Sequence, residues 1–131
     1  SPDSEGSQDP YFSFSFKCEK PKCLMRDNKK NELLDKKLII GLTELLHDLC
    51  EKRWSEIKNI PHKSRCGFEC LDLKIFFTNT YPDSLTKNDK VEVFRFKNEG
   101  RLIGKRQPNG LFKIYWIDRS NHSKPIYPHG S

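Results

Sequence analysis

The sequence has no long apolar run, and only 34% of its 131 residues are hydrophobic. No stretch approaches the roughly 20 apolar residues that a membrane-spanning helix needs, so a membrane protein is not expected. There is no glycine-rich phosphate-binding loop, no dinucleotide fingerprint and no acidic cluster typical of a two-metal nuclease. What remains is a small domain with a modest core and a surface rich in charge, since 32% of its residues are charged.

The first ten residues, "SPDSEGSQDP", have neither a positively charged start nor an apolar segment, so they do not have the form of a signal peptide. Their polar composition predicts a flexible lead-in or linker over residues 1–10. The remaining length fits one domain. We therefore expect a single α+β domain over residues 11–131.

Cysteine is present in an odd number, five, so disulfides within the chain cannot pair all of them. The spacings of Cys18 and Cys23, and of Cys66 and Cys70, resemble the ligand pairs of zinc sites, but neither has the usual form of a zinc knuckle. We favour reduced thiols in a cytoplasmic protein, with no metal and no cofactor.

The positive charge is concentrated near the end of the sequence. Residues 1–89 contain 15 Lys and Arg against 15 Asp and Glu, whereas residues 90–131 contain 9 basic residues against 3 acidic ones. A localised basic field attracts polyanions and speeds their encounter. The pattern indicates nucleic-acid binding through this last third, although a merely solubilising lysine-rich surface would have the same composition.

Hydrophobic periodicity predicts the elements before this basic region. Phenylalanines alternate with polar residues at 12, 14 and 16, which is typical of a half-buried strand. Residues 35–60 predict one long helix that Pro61 ends, because its apolar residues recur at helical spacing. These are Leu38, Leu42, Leu45, Leu46, Leu49 and Ile57. Residues 64–89 fit either a short helix or a buried strand, with turns at "YPDS" and "KND".

Three strands are predicted at 91–96, 101–106 and 111–118, separated by "KNEG" and "QPNG". Asn-Gly after Pro is a strong hairpin signal, and such short loops require antiparallel neighbours. The expected fold is therefore α+β: an N-terminal strand, one long helix, and a C-terminal antiparallel three-stranded meander packed on that helix.

Alternation along these strands assigns each side chain to one face of the meander. The face predicted to pack on the helix contains Phe94, Phe96, Leu102, Phe112, Ile114 and Trp116. The other face is predicted to be exposed, with cations for phosphates and one ring for a base. Together with a neighbouring arginine, the predicted nucleic-acid-binding residues are Arg95, Arg101, Lys105, Arg106, Lys113 and Tyr115. An ordinary solvated antiparallel face is the alternative.

One histidine near the basic strands suggests chemistry. An unperturbed histidine has a pKa close to neutrality, so His122 could act as the acid or base of a metal-independent endoribonuclease. Arg101 and Arg119 could hold the phosphate in such an enzyme. The alternative is a loop histidine beside arginines that only solubilise the chain.

The C-terminal pattern resembles that of a family of small, uncharacterised bacterial proteins from mobile elements and defence systems. The residues that carry the resemblance are Phe94, Arg95, Arg101, Ile103, Gly104, Phe112, Ile114, Trp116, Asp118, His122 and Tyr127. At the level of fold, the layout is also similar to RelE-like toxins, which cleave mRNA. That similarity implies RNA as the partner and an antitoxin-like protein as a second one. A non-catalytic protein-interaction module of a mobile element or defence system is the competing hypothesis.

Overall fold

The computed structural model describes residues 9–17, 36–60, 68–77, 81–96, 100–119 and 127–128. These residues form an α+β fold, as predicted. The elements are β1 (Ser13–Ser15), α1 (Lys36–Cys50), α2 (Trp54–Ile57), β2 (Phe68–Asp72), a 3-10 helix (Leu73–Ile75), β3 (Lys90–Phe96), β4 (Gly100–Arg106) and β5 (Leu111–Arg119). The strands form one sheet in the order β1-β5-β4-β3-β2.

The predicted long helix is present but ends earlier than expected, at Cys50, and a separate short helix follows. The backbone between the two helices forms hydrogen bonds with the N-terminal segment instead of continuing the helix. Phe12 donates its backbone N–H to the Lys52 carbonyl at 2.9 Å, and the Trp54 N–H donates to the Pro10 carbonyl at 3.0 Å. No helix in the described part of the chain is long and apolar enough to cross a membrane.

The predicted meander forms the centre of a wider sheet. Strands β3, β4 and β5 are antiparallel neighbours, and the loop after β4 is closed by a hydrogen bond from Gln107 N to the Leu111 carbonyl at 2.7 Å. Gly110 has φ +92°, a conformation that glycine adopts without strain. The sheet has five strands rather than three, because β1 adds parallel to β5 and β2 adds antiparallel to β3.

One face of the sheet packs on α1 and α2, as the helical spacing predicted. The aromatic centre of this core is a group of rings around Phe12, which lies 5.3 Å from Trp54 and 5.9 Å from Phe94 between ring centroids. The buried members are Phe12, Leu38, Leu42, Leu45, Leu49, Trp54, Ile57, Phe94, Phe96, Leu102, Phe112, Ile114 and Ile117. Five of the six residues predicted for this face are therefore confirmed there.

The opposite face is not the exposed cationic surface that alternation predicted. A second core covers it, made by Leu73, Phe76, Val91, Val93, Ile103, Tyr115, Trp116 and Tyr127. The segment after β2 crosses this face, and the Phe76 ring lies tilted at 5.4 Å from Trp116 and stacked at 5.3 Å on Tyr127, between ring centroids. Tyr115, predicted to face solvent, is 2% exposed.

A β-bulge explains why Trp116 lies on the unexpected face. Ile103 pairs with Trp116 while Gly104 pairs with Ile114, so Tyr115 is an extra residue on β5. The extra residue reverses the alternation beyond it. Tyr115 and Trp116 consequently both join the second core, and the placement of Trp116 against the helix was wrong.

Candidate nucleic-acid interface

The six residues predicted to bind nucleic acid are divided between the two ends of β4. Arg95 and Arg101 lie opposite each other where β3 ends and β4 begins. Lys105 and Lys113 lie opposite each other near the far end, and Arg106 follows them there. The buried ring of Tyr115 belongs to the second core, so the predicted set does not form one continuous surface.

At the first end of β4, Arg101 is buried against an acidic residue in register. Its partner across the strands is Asp118, and the two residues are 9% and 0% exposed. Burial raises the pKa of Tyr127, which also accepts a hydrogen bond from Arg101. The expectation that Arg101 faces solvent is therefore wrong, because this guanidinium belongs to a buried polar cluster. Arg95 beside it is half-buried.

Lys113 is also engaged within the molecule. It forms an ion pair with Asp83, and both side chains are mostly buried, with 27% and 11% of their surfaces exposed. Asp83 reaches this position from the turn before β3, where its φ of 48° is unusual for a residue with a side chain. Of the six predicted residues, Lys105 and Arg106 lie at the far end of β4, and both are half-buried, as Arg95 is at the other end.

Basic side chains from other elements join these two. We call the group the cationic end; it contains Arg53, Lys58, Lys90, Lys105 and Arg106. Arg53 and Lys58 flank α2, Lys90 begins β3, and the other two end β4. Arg53, Lys58 and Lys90 are exposed, and the other two are half-buried. Residues at the ends of α2, β3 and β4 therefore place their positive charge at one end of the strands.

Three members of the cationic end, Lys58, Lys90 and Lys105, lie near the thiol of Cys70. Burial and the charge of Glu92 raise the pKa of Cys70, whereas the charges of Lys90, Lys105 and Lys58 lower it. Lys105 also donates its Nζ to the Lys90 carbonyl at 2.9 Å. All three lysines are therefore near enough to Cys70 for their charges to act on its pKa, although they come from different parts of the sequence.

Arg106 is held over an aromatic ring. Its guanidinium carbon lies 4.8 Å from the ring centroid of Trp54, a distance typical of a cation–π contact. The Trp54 ring is fixed in turn, because its Nε1 donates to the Gly110 carbonyl at 2.7 Å. The contact positions Arg106 at the end of β4 and ties the sheet to α2.

Carboxylates lie among these cations and moderate the field. Glu92 accepts a hydrogen bond from the Arg106 backbone N–H at 2.6 Å, and burial raises its pKa despite that bond. Asp72 lies 3.8 Å from the Lys90 ammonium in a partly exposed ion pair. The cationic end is thus a basic surface whose charge depends on the protonation of one half-buried acid.

The predicted catalytic set is only partly within the described residues. His122 lies outside them, and for Arg119 the structure describes the backbone that ends β5. Arg101, the third member, is in the buried cluster with Asp118. A catalytic role for His122 stays a prediction.

The described residues also include one candidate metal-binding group and two free thiols. Within the described ranges, the donor atoms of His47, Asp48 and Glu51 lie within 4.8 Å of one another, so these side chains could hold a divalent cation. Cys50 and Cys70 are free and exposed, and burial raises the pKa of both thiols, which disfavours the reactive thiolate. The cysteines at 18, 23 and 66 lie outside the described residues.

The chain matches no protein-family model, no curated protein and no solved structure. Its function must therefore be inferred from the chemistry of its own residues. Sequence reasoning identified Lys105 and Arg106 but missed Arg53, Lys58 and Lys90. The signal that could have found Arg53 and Lys58 is their position on either side of Trp54, an aromatic residue flanked by cations.

Proposed function

We propose that the protein binds nucleic acid, and RNA in particular, through the cationic end. The observation that carries this proposal is the convergence of five basic side chains from α2, β3 and β4 at one edge of the sheet. Contacts between such side chains and phosphates supply most of the affinity of a sequence-independent nucleic-acid binder. Arg101, buried near the start of β4, is not part of this proposed surface.

The arrangement of these side chains suits an extended polyanion. In the sheet order, Arg53 is joined to the segment before β1 by a backbone bridge with Tyr11, and Lys90 begins β3, three strand positions away. Neighbouring strands are about 4.8 Å apart, so the positions of β1 and β3 in the sheet lie about 14 Å apart. A nucleic-acid backbone crossing the strand ends would meet several of them in succession.

RNA rather than DNA is proposed because the sequence resembles RelE-like toxins in layout. A toxin-like, metal-independent endoribonuclease is the more specific form of the proposal, with His122 as its acid or base. RNA incubated with the protein in a chelator would then be cut, and His122→Ala would abolish cutting while leaving RNA binding unchanged. Binding without cutting would retain the RNA-binding proposal and reject the enzyme.

Salt dependence tests the proposed binding directly. Fluorescence anisotropy of a labelled single-stranded RNA is measured at several salt concentrations. Each phosphate contact on a single strand contributes about 0.7 to the slope of log affinity against log salt. Lys105→Ser/Arg106→Ser should therefore lower the slope by about 1.4. If the wild-type protein bound no RNA even at low salt, the proposal would be wrong and a protein-docking module would become the better hypothesis.

A further inference from the structure

One aromatic ring at the cationic end is exposed to solvent. Tyr11 is 54% exposed and forms an isolated antiparallel bridge with Arg53 through its backbone. The Arg53 guanidinium carbon lies 4.2 Å from the centre of the Tyr11 ring. The ring and the guanidinium therefore form a stacked pair at the edge of the basic surface.

This stacked pair is held in place by hydrogen bonds on both sides. Arg53 Nη1 donates to the Asp9 carbonyl at 2.9 Å, and the Arg53 backbone N–H donates to Glu56 Oε1 at 2.8 Å. The Asp9 carboxylate accepts from the backbone and hydroxyl of Ser55 at 3.0 and 2.9 Å. An aromatic group that is already ordered loses little conformational entropy when a ligand stacks on it.

We infer that the cationic end takes single-stranded nucleic acid, with the Tyr11–Arg53 pair as the platform on which one unpaired base stacks. The inference rests on the proposed function and names its substrate class. Single-strand-binding proteins combine basic side chains along the backbone with aromatic rings under the bases. Arginine guanidinium planes serve the same purpose in RNA recognition.

The structure also says which aromatic groups do not fit this role. Trp54 lies under Arg106 and is 1% exposed, so a base cannot reach its ring. Phe77 is 60% exposed, but it follows Phe76, which packs on Trp116 on the opposite face of the sheet. A duplex presents no free base face at its sides, so it would meet the phosphate contacts without the stacking contact.

The test compares Tyr11→Ala, Tyr11→Phe and Phe77→Ala in binding a single-stranded RNA and a duplex of the same length. Removing a stacked ring weakens single-strand binding about fivefold or more. We expect Tyr11→Ala to show that loss on the single strand and less than twofold on the duplex. Tyr11→Phe should keep wild-type affinity because the ring remains, and Phe77→Ala should bind both ligands as the wild type does.

Two failures can be distinguished. If no variant or wild-type protein binds RNA, the proposed function itself is wrong. If Lys105→Ser/Arg106→Ser loses affinity but Tyr11→Ala does not, RNA binding stands and the stacking platform is overturned, as it also is if Tyr11→Ala weakens single strand and duplex equally. Circular dichroism and thermal melting of each variant check that the Tyr11 substitutions leave the fold intact.

Discussion

The two ends of β4 carry the same charge in opposite environments. Arg101, near its start, is 9% exposed and lies opposite the fully buried Asp118. Lys105 and Arg106, at its end, lie at an accessible edge beside other cations. A basic residue in a strand is therefore held inside the protein when a buried acid lies opposite it in register. It stays partly exposed where the strand leaves the core, as Lys105 and Arg106 do.

The largest effect should follow from removing the buried cation. Arg101→Met leaves the Asp118 carboxylate buried opposite an apolar group, and breaking such a buried pair destabilises proteins by about 3 to 5 kcal/mol. We expect the free energy of unfolding, measured by urea denaturation, to fall by about that amount. Lys105→Met is the matched control, because it removes one charge from the same strand. An equal loss of stability in both variants would contradict the distinction between the two ends.

Removing Arg106 should have a smaller effect on stability and a clear effect on binding. Arg106→Met loses the cation–π contact with Trp54, which contributes about 0.5 to 1 kcal/mol at a partly exposed site. We expect a small decrease in melting temperature, together with a decrease of about 0.7 in the salt slope of RNA binding. A variant with unchanged salt dependence would show that this guanidinium contacts no phosphate.

Lys105 sharpens the comparison further, because its removal should affect binding almost alone. Its hydrogen bond to the Lys90 carbonyl is exposed, so Lys105→Met should change the free energy of unfolding by less than about 1 kcal/mol. The salt slope of RNA binding should again fall by about 0.7. A large destabilisation with unchanged RNA binding would reverse the roles that we assign to the two ends.

The smallest effect concerns pH and Glu92. Burial raises its pKa above the ordinary value of 4.5, so the folded protein takes up this proton at a higher pH than the unfolded chain does. The contribution of Glu92 to stability therefore falls as pH rises through that raised pKa. Protonation also removes a negative charge from the cationic end, so RNA affinity should increase as pH falls through that raised pKa. Glu92→Gln should bind RNA more tightly at pH 7 and lose this part of the pH dependence.

Local signals predicted much of the fold. Helical spacing located α1, alternation located β1 and the three central strands, and Pro-Asn-Gly located the turn after β4. The pairing of β1 and β2 with the central strands depends on contacts between distant residues, which a local pattern does not contain. The helix break after Cys50 has the same origin, because it comes from hydrogen bonds with the N-terminal segment.

The sequence did contain a signal against the predicted exposed face. Val93 and Ile103 occupied the face assigned to solvent, and two apolar residues there favour a sheet covered on both sides. The bulge at Tyr115 was not visible, since four successive apolar residues from Ile114 to Ile117 fit either register. In the structure the bulge lies opposite Ile103 and Gly104, and a side chain at Gly104 would collide with the Lys113 carbonyl and the ring of Phe112.

For the candidate site, the charge excess in residues 90–131 pointed to the part of the sheet where the cationic end lies but not to all of its members. Lys105 and Arg106 were in the predicted set, whereas strand alternation placed Arg101 on the exposed face, because alternation does not show that a buried acid, Asp118, lies opposite it. The contributions of Arg53 and Lys58 require α2 to lie beside the end of β4, which is a tertiary contact. The sequence therefore predicted that this surface is positively charged, but it identified only two of the five residues that form it.

The most direct test of the central claim compares two double substitutions that remove the same charge. Lys105→Ser/Arg106→Ser alters the cationic end. Lys36→Ser/Lys37→Ser alters exposed lysines at the start of α1, a helix of 15 residues. At a rise of 1.5 Å per residue, that start lies about 20 Å from the end of α1 that leads to Arg53.

Both variants and the wild type are titrated against one labelled single-stranded RNA at a fixed salt concentration. We predict that the variant of the cationic end loses about tenfold or more in affinity, because two phosphate contacts are removed. The α1 variant should stay within about twofold of the wild type. Equal losses in the two variants would mean that net charge alone drives binding, and this result would contradict an interface at the end of β4.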